Sequence, residues 1–233
     1  MRVTAMLFAL LIVLGSGFSG IGSDELAAKG LAVRAPAAEA MAQRTGEPRI
    51  LLLMCNNYGA NYNWLRDVME IYGWDITTAG VTPTVSVCYY GGPLTADTLV
   101  SEITDVSTFD CLAIMPSKVS QAGGPHSQLL QSPAALNLVH QAAADCLLVV
   151  AFCGGTRVLA AADVVDSVRV TGRVEYLQEY LNAGAIWAGE PVTPVLDGNI
   201  LTSTRNQTNA QRVCEIMRMA IDSLRVVRAG GEK

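Results

Sequence analysis

Three short, almost wholly apolar segments most constrain the fold of this chain. They are RILLLMC at 49–55, FDCLAIMP at 109–116 and DCLLVVAF at 145–152. Each has the length of a strand and too little polar alternation to leave one face in water. Segments with helical spacing stand between them, such as NYNWLRDVMEIYG at 61–73 and SPAALNLVHQAAA at 132–144. This order predicts an α/β fold, in which helices cover both faces of a mostly parallel sheet.

Weaker turn and cap signals divide the rest of the domain. The chain has 233 residues, of which 51% are hydrophobic, so one large buried core is expected. We predict further strands at 74–80, 84–92 and 167–172, and helices at 94–103, 155–165, 174–184 and 209–227. The dipeptide Asp197-Gly198 predicts the turn of a hairpin over 191–204.

The N-terminal residues differ in kind from the rest. Residues 1–23 carry an early Arg, a short apolar run and then small residues, which is the pattern of a secretory signal. The apolar run has roughly half of the ~20 residues that span a bilayer. We therefore predict an exported protein, periplasmic or extracellular, without a stable membrane span once the signal is removed. The alternative is that this segment tethers the protein to a membrane. We interpret 24–48 as a linker, 49–228 as the domain and 229–233 as a tail.

Composition excludes several classes of function. The net charge is −5 and the basic residues are scattered, which argues against nucleic-acid binding. Two His and no Cys-x-x-Cys spacing argue against a metal site. No glycine-rich phosphate loop is present, so we expect no cofactor. The six Cys are not expected to form a disulfide framework, because Cys55, Cys111 and Cys146 lie in or beside apolar runs.

Cys153 is the candidate nucleophile. It follows an apolar strand and precedes two glycines and a helical pattern, in AFCGGTRVLAA. In parallel sheets the functional crevice lies outside the carboxyl ends of the strands, where Cys153 is predicted to lie. Gly154 and Gly155 would allow a ligand to approach closely, and the helix after them would favour a thiolate and hold an oxyanion. The alternative is a small core residue that ends a strand.

Other polar residues follow the same strand ends. His126 lies in a loop after the strand that ends at Pro116, and it is either a base for Cys153 or a solvent-exposed loop residue. Lys118 and Arg173 would each stabilise a thiolate or bind an anion, or else be solvated. Asn61 belongs to a cluster of polar side chains that would orient a ligand by hydrogen bonds or cap a helix; its other members are Asn56, Asn57, Tyr58 and Tyr62.

Four segments resemble the DJ-1/PfpI family of the class I glutamine amidotransferase-like superfamily. They are DVMEIYGWDITTAG, FDCLAIMPS, AFCGGTRVLAAADVVDSVRVTGR and VLDGNILTST, and the resemblance covers roughly residues 49–228. It implies a flavodoxin-like three-layer sandwich with Cys153 at a nucleophile elbow, and often a homodimer.

The sequence departs from the family pattern around that elbow. Asn61 stands where the family has a Glu that bonds the Cys, and Gly154 stands where many members have a His. Arg173 falls near the place of another His. The family's Pro-Gly-Gly, whose backbone contributes to the oxyanion hole, becomes Pro116-Ser117-Lys118. The resemblance thus implies the fold and the elbow without the usual acid–base partners.

Three hypotheses follow for the function. The first is an exported cysteine-dependent hydrolase or lyase of amidase, peptidase or glyoxalase type, which acts on a small molecule or peptide. Its catalytic residues would be Cys153 and His126, and its binding residues Asn61, Ser117, Lys118, Gly154 and Gly155. The second is a degenerate ligand-binding domain, and the third is a redox sensor that oxidises Cys153.

Overall fold

The structure is a computed structural model that describes residues 46–56, 61–85, 93–117, 124, 126–191, 193–204 and 210–230. The signal segment, nearly all of the linker, Lys118, the last three residues and most of the strand predicted at 84–92 lie outside this part of the chain.

Eleven strands and six α-helices follow one another in the described chain. The strands are β1 (Arg49–Met54), β2 (Asp75–Gly80), β3 (Thr84–Val85), β4 (Leu94–Thr95), β5 (Thr98–Leu99), β6 (Cys111–Ile114), β7 (Leu148–Phe152), β8 (Arg169–Val170), β9 (Ile186–Trp187), β10 (Val195–Asp197) and β11 (Ile200–Ser203). The helices are α1 (Asn61–Ile71), α2 (Ser127–Leu130), α3 (Pro133–Ala144), α4 (Thr156–Ala161), α5 (Leu177–Asn182) and α6 (Ala210–Gly230).

The main sheet has seven strands in the order β10-β11-β7-β6-β1-β2-β5. All neighbouring pairs are parallel except β10 and β11, which form the predicted hairpin. Gly198 occupies its turn with a φ of 61°, a conformation that glycine adopts without steric cost. After β1 the chain first extends the sheet on one side through β2 and β5, and then on the other through β6 and β7. The carboxyl ends of β1 and β6 therefore flank the point where ligands bind in such folds.

Helices cover both faces of this sheet, as the sequence predicts. Leu51 and Leu53 of β1 pack in one buried cluster with residues of α3 and α4. Leu52 and Met54 alternate with them and pack in a second cluster with α1 and α6. Because helices shield both faces of the parallel sheet from water, β1, β6 and β7 have no alternation of polar and apolar residues. The fold is a flavodoxin-like three-layer sandwich.

The helix predicted at 94–103 is wrong. This segment forms β4, β5 and a short 3₁₀ helix at Val100–Glu102. The carboxylate of Asp97 accepts hydrogen bonds from the backbone N–H and the hydroxyl of Thr78, at 2.8 and 2.7 Å. These bonds hold the segment against β2, so that β5 pairs with it as the edge strand. A contact between residues 19 apart in the chain overrides the local helical spacing.

A buried ion pair joins the last helix to the sheet. Asp110 is fully buried, and Arg225 of α6 contacts both of its oxygens, at 3.1 and 2.7 Å. The backbone N–H of Arg49 also donates to this carboxylate, at 2.9 Å. Arg225 further donates to the carbonyl of Gly46, at 2.9 Å. The pair thereby fixes the start of β1, the start of β6 and α6 relative to one another.

Candidate functional site

Cys153 lies at an elbow between β7 and α4. Its φ of 57° is in the left-handed region, and a 3₁₀ turn over Cys153–Gly155 leads into the helix. The side chain is partly exposed, in contrast to the other described cysteines, which are buried. A non-glycine residue with such a φ costs about 1–3 kcal/mol and persists only where the surrounding fold imposes it. The structure therefore favours the presented thiol over a core residue that ends a strand.

The glycines after Cys153 are both buried. A Cβ on Gly155 would lie 3.2 Å from Cγ2 of Ile114, so a larger residue would push the elbow away from β6. Their packing role is thus established by the geometry, whereas contact of Gly154 and Gly155 with a ligand stays a prediction.

Arg173 is the charged partner of Cys153 within the described chain. Its guanidinium interacts electrostatically with the thiol, and its Nη2 contacts Oε1 of Glu175. The bond to Glu175 raises the pKa of Arg173, burial opposes the rise, and Cys153 adds to it. The same pairing lowers the pKa of Glu175. Arg173 is therefore a fixed cation at the sulfur.

A chain of hydrogen bonds positions Arg173. The backbone N–H of Thr171 donates to the hydroxyl of Thr202 in β11, at 2.9 Å. The hydroxyl of Thr156, at the start of α4, donates to the carbonyl of Thr171, at 2.8 Å. Gly172 lies so close to Tyr180 that a Cβ there would approach its hydroxyl to 2.8 Å. The segment before Arg173 is thus fixed to the elbow helix and to the sheet.

His126 lies in a buried cluster and not in a solvent-exposed loop. Its ring is fully buried, and Nε2 donates to the carbonyl of Met115, at 2.8 Å. Since a carbonyl only accepts, Nδ1 carries the lone pair, and it has no partner among the described residues. Burial lowers the pKa of His126 to about 4, the bond to Met115 opposes this, and the charge of Arg157 adds to it. The imidazole is neutral near pH 7.

Cys55 shares this cluster with His126 and Ser117. Its thiol contacts the Ser117 side chain and the backbone N–H of His126, and burial raises its pKa to about 11. The cluster lies between the ends of β1 and β6. The Ser117 side chain is buried and directed to Cys55, so its proposed contact with a ligand would have to come from elsewhere in the residue. Cys55, which the sequence predicts to be a small buried hydrophobe, therefore also organises this strand end.

The residues predicted from the sequence to form a site with Cys153 are not all in contact with it. Within the described chain no hydrogen bond joins His126 to Cys153, because Nε2 is engaged by Met115 and Nδ1 is without a partner. Asn61 is the first residue of α1, and its side chain is outside the described part, as is all of Lys118. From the sequence, Arg173 is predicted either to stabilise a thiolate or bind an anion, or to be solvated. In the structure it is the residue whose charge acts on the thiol.

The described residues contain neither a metal-binding cluster nor a membrane-spanning helix. No cluster of three or more His, Cys, Asp and Glu side chains is arranged to hold a metal ion there. Nor does any described helix combine the length and hydrophobicity needed to cross a membrane.

The site can hold an anion beside the thiol of Cys153. A thiolate, a sulfinate or a substrate oxyanion at Cys153 would each be balanced by the guanidinium of Arg173. Because Arg does not release its proton, this partner can stabilise charge but cannot transfer a proton.

The model of the DJ-1/PfpI family matches residues 49–219 of the chain. Curated proteins give no match. Solved structures with the same fold include a ThiJ/PfpI domain protein from Brachyspira murdochii, at 19% identity and a TM-score of 0.65 over 76% of this chain and 99% of that one. DJ-1beta from Drosophila melanogaster matches at 20% identity and a TM-score of 0.62, over 79% and 97%.

A two-domain protein from Anabaena variabilis also matches, at 20% identity and a TM-score of 0.62. It contains a DJ-1/ThiJ/PfpI-like and a ferritin-like domain. The match covers 71% of this chain and 48% of that one, so the chain spans about half of its length.

Proposed function

The chain belongs to the DJ-1/PfpI family, and we propose that it is a cysteine-dependent hydrolase or lyase that uses Cys153 as its nucleophile. The substrate is a small molecule or peptide with a reactive carbonyl group. The observation that carries this proposal is the partly exposed Cys153 thiol, held at an elbow with a φ of 57°, with the charge of the Arg173 guanidinium acting on it.

The first step starts from the thiolate of Cys153, whose proton is released to water before the attack. A positive charge beside a thiol favours the thiolate, which is the nucleophilic form. The sulfur forms a bond to the carbonyl carbon, and the π electrons of the carbonyl move to its oxygen. The backbone N–H groups of Gly154 and Gly155 are the proposed donors to that oxyanion. His126 is a poor base near neutral pH, since its pKa is about 4, so we assign the later proton transfers to water.

Turnover of a panel of small carbonyl compounds, made up of aldehydes, amides and oxo acids, tests this proposal. We expect the parent protein to convert at least one of them and Cys153→Ser to lose the conversion. Cys214→Ala is the matched control, because Cys214 is buried in α6 on the opposite face of the sheet and should leave the rate unchanged. His126→Asn should retain most of the activity; its complete loss would instead support His126 as the base.

Two other outcomes would contradict the proposal in different ways. A parent protein that alkylates rapidly at Cys153 but turns over no carbonyl compound, and takes up oxygen atoms there under dilute peroxide, would be a redox sensor. A Cys153 that alkylates no faster than a free thiol would leave a ligand-binding domain.

We further propose that the protein is exported, on the strength of the signal-like residues 1–23. N-terminal sequencing of the protein recovered from the host's exported fraction tests this, and a retained Met1 would contradict a cleaved signal. Recovery from the membrane fraction would support a tether.

A homodimer is also proposed. Ile71 of α1 and Met219 and Val226 of α6 expose large apolar side chains on the same helical layer, and a sedimentation experiment decides the state. A monomer at all concentrations would contradict it.

A further inference from the structure

We propose that the substrate carries a carboxylate next to its reactive carbonyl carbon, as a 2-oxo acid does, and that Arg173 anchors this carboxylate. The inference rests on the proposed function and names the substrate class for the same site. It also assigns a role to Glu175, whose carboxylate occupies part of the anchoring edge of Arg173 until the substrate displaces it.

The hydrogen bonds of Arg173 are incomplete. Nη2 contacts one oxygen of Glu175, whereas Nε is buried and has no partner among the described residues. Nε–H and one Nη2–H point the same way along one edge of the guanidinium, and a carboxylate can accept from both at once. Glu175 uses only one of the two. The buried Nε–H is thus a donor that lacks an acceptor, at a cost that a bound carboxylate would remove.

The exposed fractions of the two side chains show that Glu175 is the one that can leave the ion pair. The side chain of Glu175 is 51% exposed, and that of Arg173 is 31% exposed. Glu175 can therefore move into water without uncovering the core, while Arg173 is held by the bonded segment before it and by Cys153. An incoming carboxylate would replace an outgoing one, so the local charge would not change. A neutral carbonyl compound would make no such exchange.

The position of the thiol defines the rest of the substrate. The guanidinium that would bind the carboxylate also contacts Cys153. A carbonyl carbon directly attached to that carboxylate is then brought beside the sulfur, whereas a carbonyl several bonds away is not. This geometry selects 2-oxo acids over neutral aldehydes and simple amides.

Arg157 and Glu179 provide a matched comparison within the same chain. Nε of Arg157 donates to Oε2 of Glu179 at 2.7 Å, so this pair does engage the Nε–H that Arg173 leaves without a partner. Arg157 also stacks on Tyr176, with 4.3 Å from its Cζ to the ring centroid. It is a structural pair, and Glu179→Gln is the control for Glu175→Gln.

Competitive alkylation of Cys153 tests the anchor without requiring turnover. In both iodoacetate and iodoacetamide the sulfur forms a bond to the CH₂ carbon and iodide leaves, but only iodoacetate carries a carboxylate. The rate ratio of iodoacetate to iodoacetamide is measured by mass spectrometry and divided by the same ratio for glutathione. We expect a normalised ratio well above one for the parent. Arg173→Gln should lower it by about tenfold, the loss of a charge-assisted pair.

The remaining variants separate an anchor from a plain positive charge. Arg173→Lys should retain part of the ratio, because it keeps the charge but not the two-donor edge. Glu175→Gln should raise the ratio several-fold by removing the competing carboxylate, and Glu179→Gln should leave it unchanged.

The two proposals fail in distinguishable ways. Rapid reaction with iodoacetamide, together with a ratio that neither Arg173→Gln nor Glu175→Gln alters, overturns the carboxylate anchor and leaves the thiolate nucleophile standing. A parent Cys153 that reacts no faster than glutathione with either reagent overturns both. If Arg173→Gln does not fold, the Glu175→Gln ratio alone decides, because that residue is on the surface.

Discussion

Acid should destabilise the fold through His126. The pKa of this histidine is about 4 in the folded protein against 6.5 for a free side chain. The unfolded chain therefore takes up a proton near pH 6.5, whereas the folded chain does so only near pH 4. The stabilisation that the neutral His126 contributes is complete above about pH 6.5 and is lost as the pH falls towards 4. At ~1.4 kcal/mol for each pH unit, the loss attributable to His126 is about 3 kcal/mol.

The physical cause is that a second proton on the His126 imidazole would have no hydrogen-bond acceptor within the described ranges. Nε2–H already donates to Met115, so the second proton must enter at Nδ1, which is buried and without a partner in the described chain. Arg157 adds a like charge nearby. The protonated ring would be a buried cation with one unbonded donor, and the fold resists it.

Urea unfolding between about pH 7.5 and pH 4 measures this loss. His126→Asn is the comparison, because Asn tolerates the left-handed φ of 66° at this position but does not titrate. The variant should be less stable than the parent at pH 7.5, since it leaves a cavity, yet lose less stability on acidification by about 3 kcal/mol. Equal losses in parent and variant would refute the assignment to His126.

Three other substitutions test the packing around the site. Gly172→Ala should cost about 1–3 kcal/mol of unfolding free energy, because the new Cβ would meet the Tyr180 hydroxyl at 2.8 Å; Gly46→Ala, with nothing within 4 Å, is the control, and equal midpoints would contradict this. Tyr180→Ala should cost about 3–5 kcal/mol, because the fully buried ring stacks on Trp187 with 5.8 Å between the ring centroids; a midpoint equal to that of the parent would contradict this. Asp110→Asn should cost about 3–5 kcal/mol by leaving Arg225 without its buried carboxylate, and a thermal midpoint unchanged from the parent would show that the pair contributes little.

The sheet was predictable because the features that form its strands and turns are visible in short segments of the sequence. Strands buried on both faces must be apolar throughout, so β1, β6 and β7 are visible as uninterrupted runs, and their ends locate the crevice. Asp197-Gly198 indicates the hairpin because few residue pairs suit its turn. The elbow at Cys153 is visible for the same reason, as an apolar run that stops at two glycines. None of these inferences needs a contact between distant residues.

The segment at 94–103 shows where local patterns fail. Its residues have helical spacing, but Thr78 offers a hydroxyl and a backbone N–H to Asp97, and the sheet edge offers β5 a partner. The free energy of edge pairing exceeds a helix propensity worth a few tenths of a kcal/mol per residue. Nothing within ten residues of Asp97 indicates that Thr78 is near.

His126 could not be interpreted correctly from sequence for a similar reason. Its loop contains two glycines and a proline, which is typical of exposed segments. The ring is nevertheless buried, because Met115 supplies an acceptor and Cys55 accepts from the His126 backbone. These partners lie directly after two different strands, β6 and β1, so the burial is a property of the assembled sheet.

Arg173 changes what the elbow can do. A histidine near this place would exchange protons with the nucleophile at neutral pH, whereas a guanidinium stays charged throughout. The chemistry that we propose at Cys153 therefore depends on holding negative charge and not on relaying protons. In the proposed mechanism the thiolate form of Cys153 attacks the substrate, and an anionic substrate gains from the same cation. Arg173 therefore directs the proposed mechanism towards charge stabilisation and away from proton transfer.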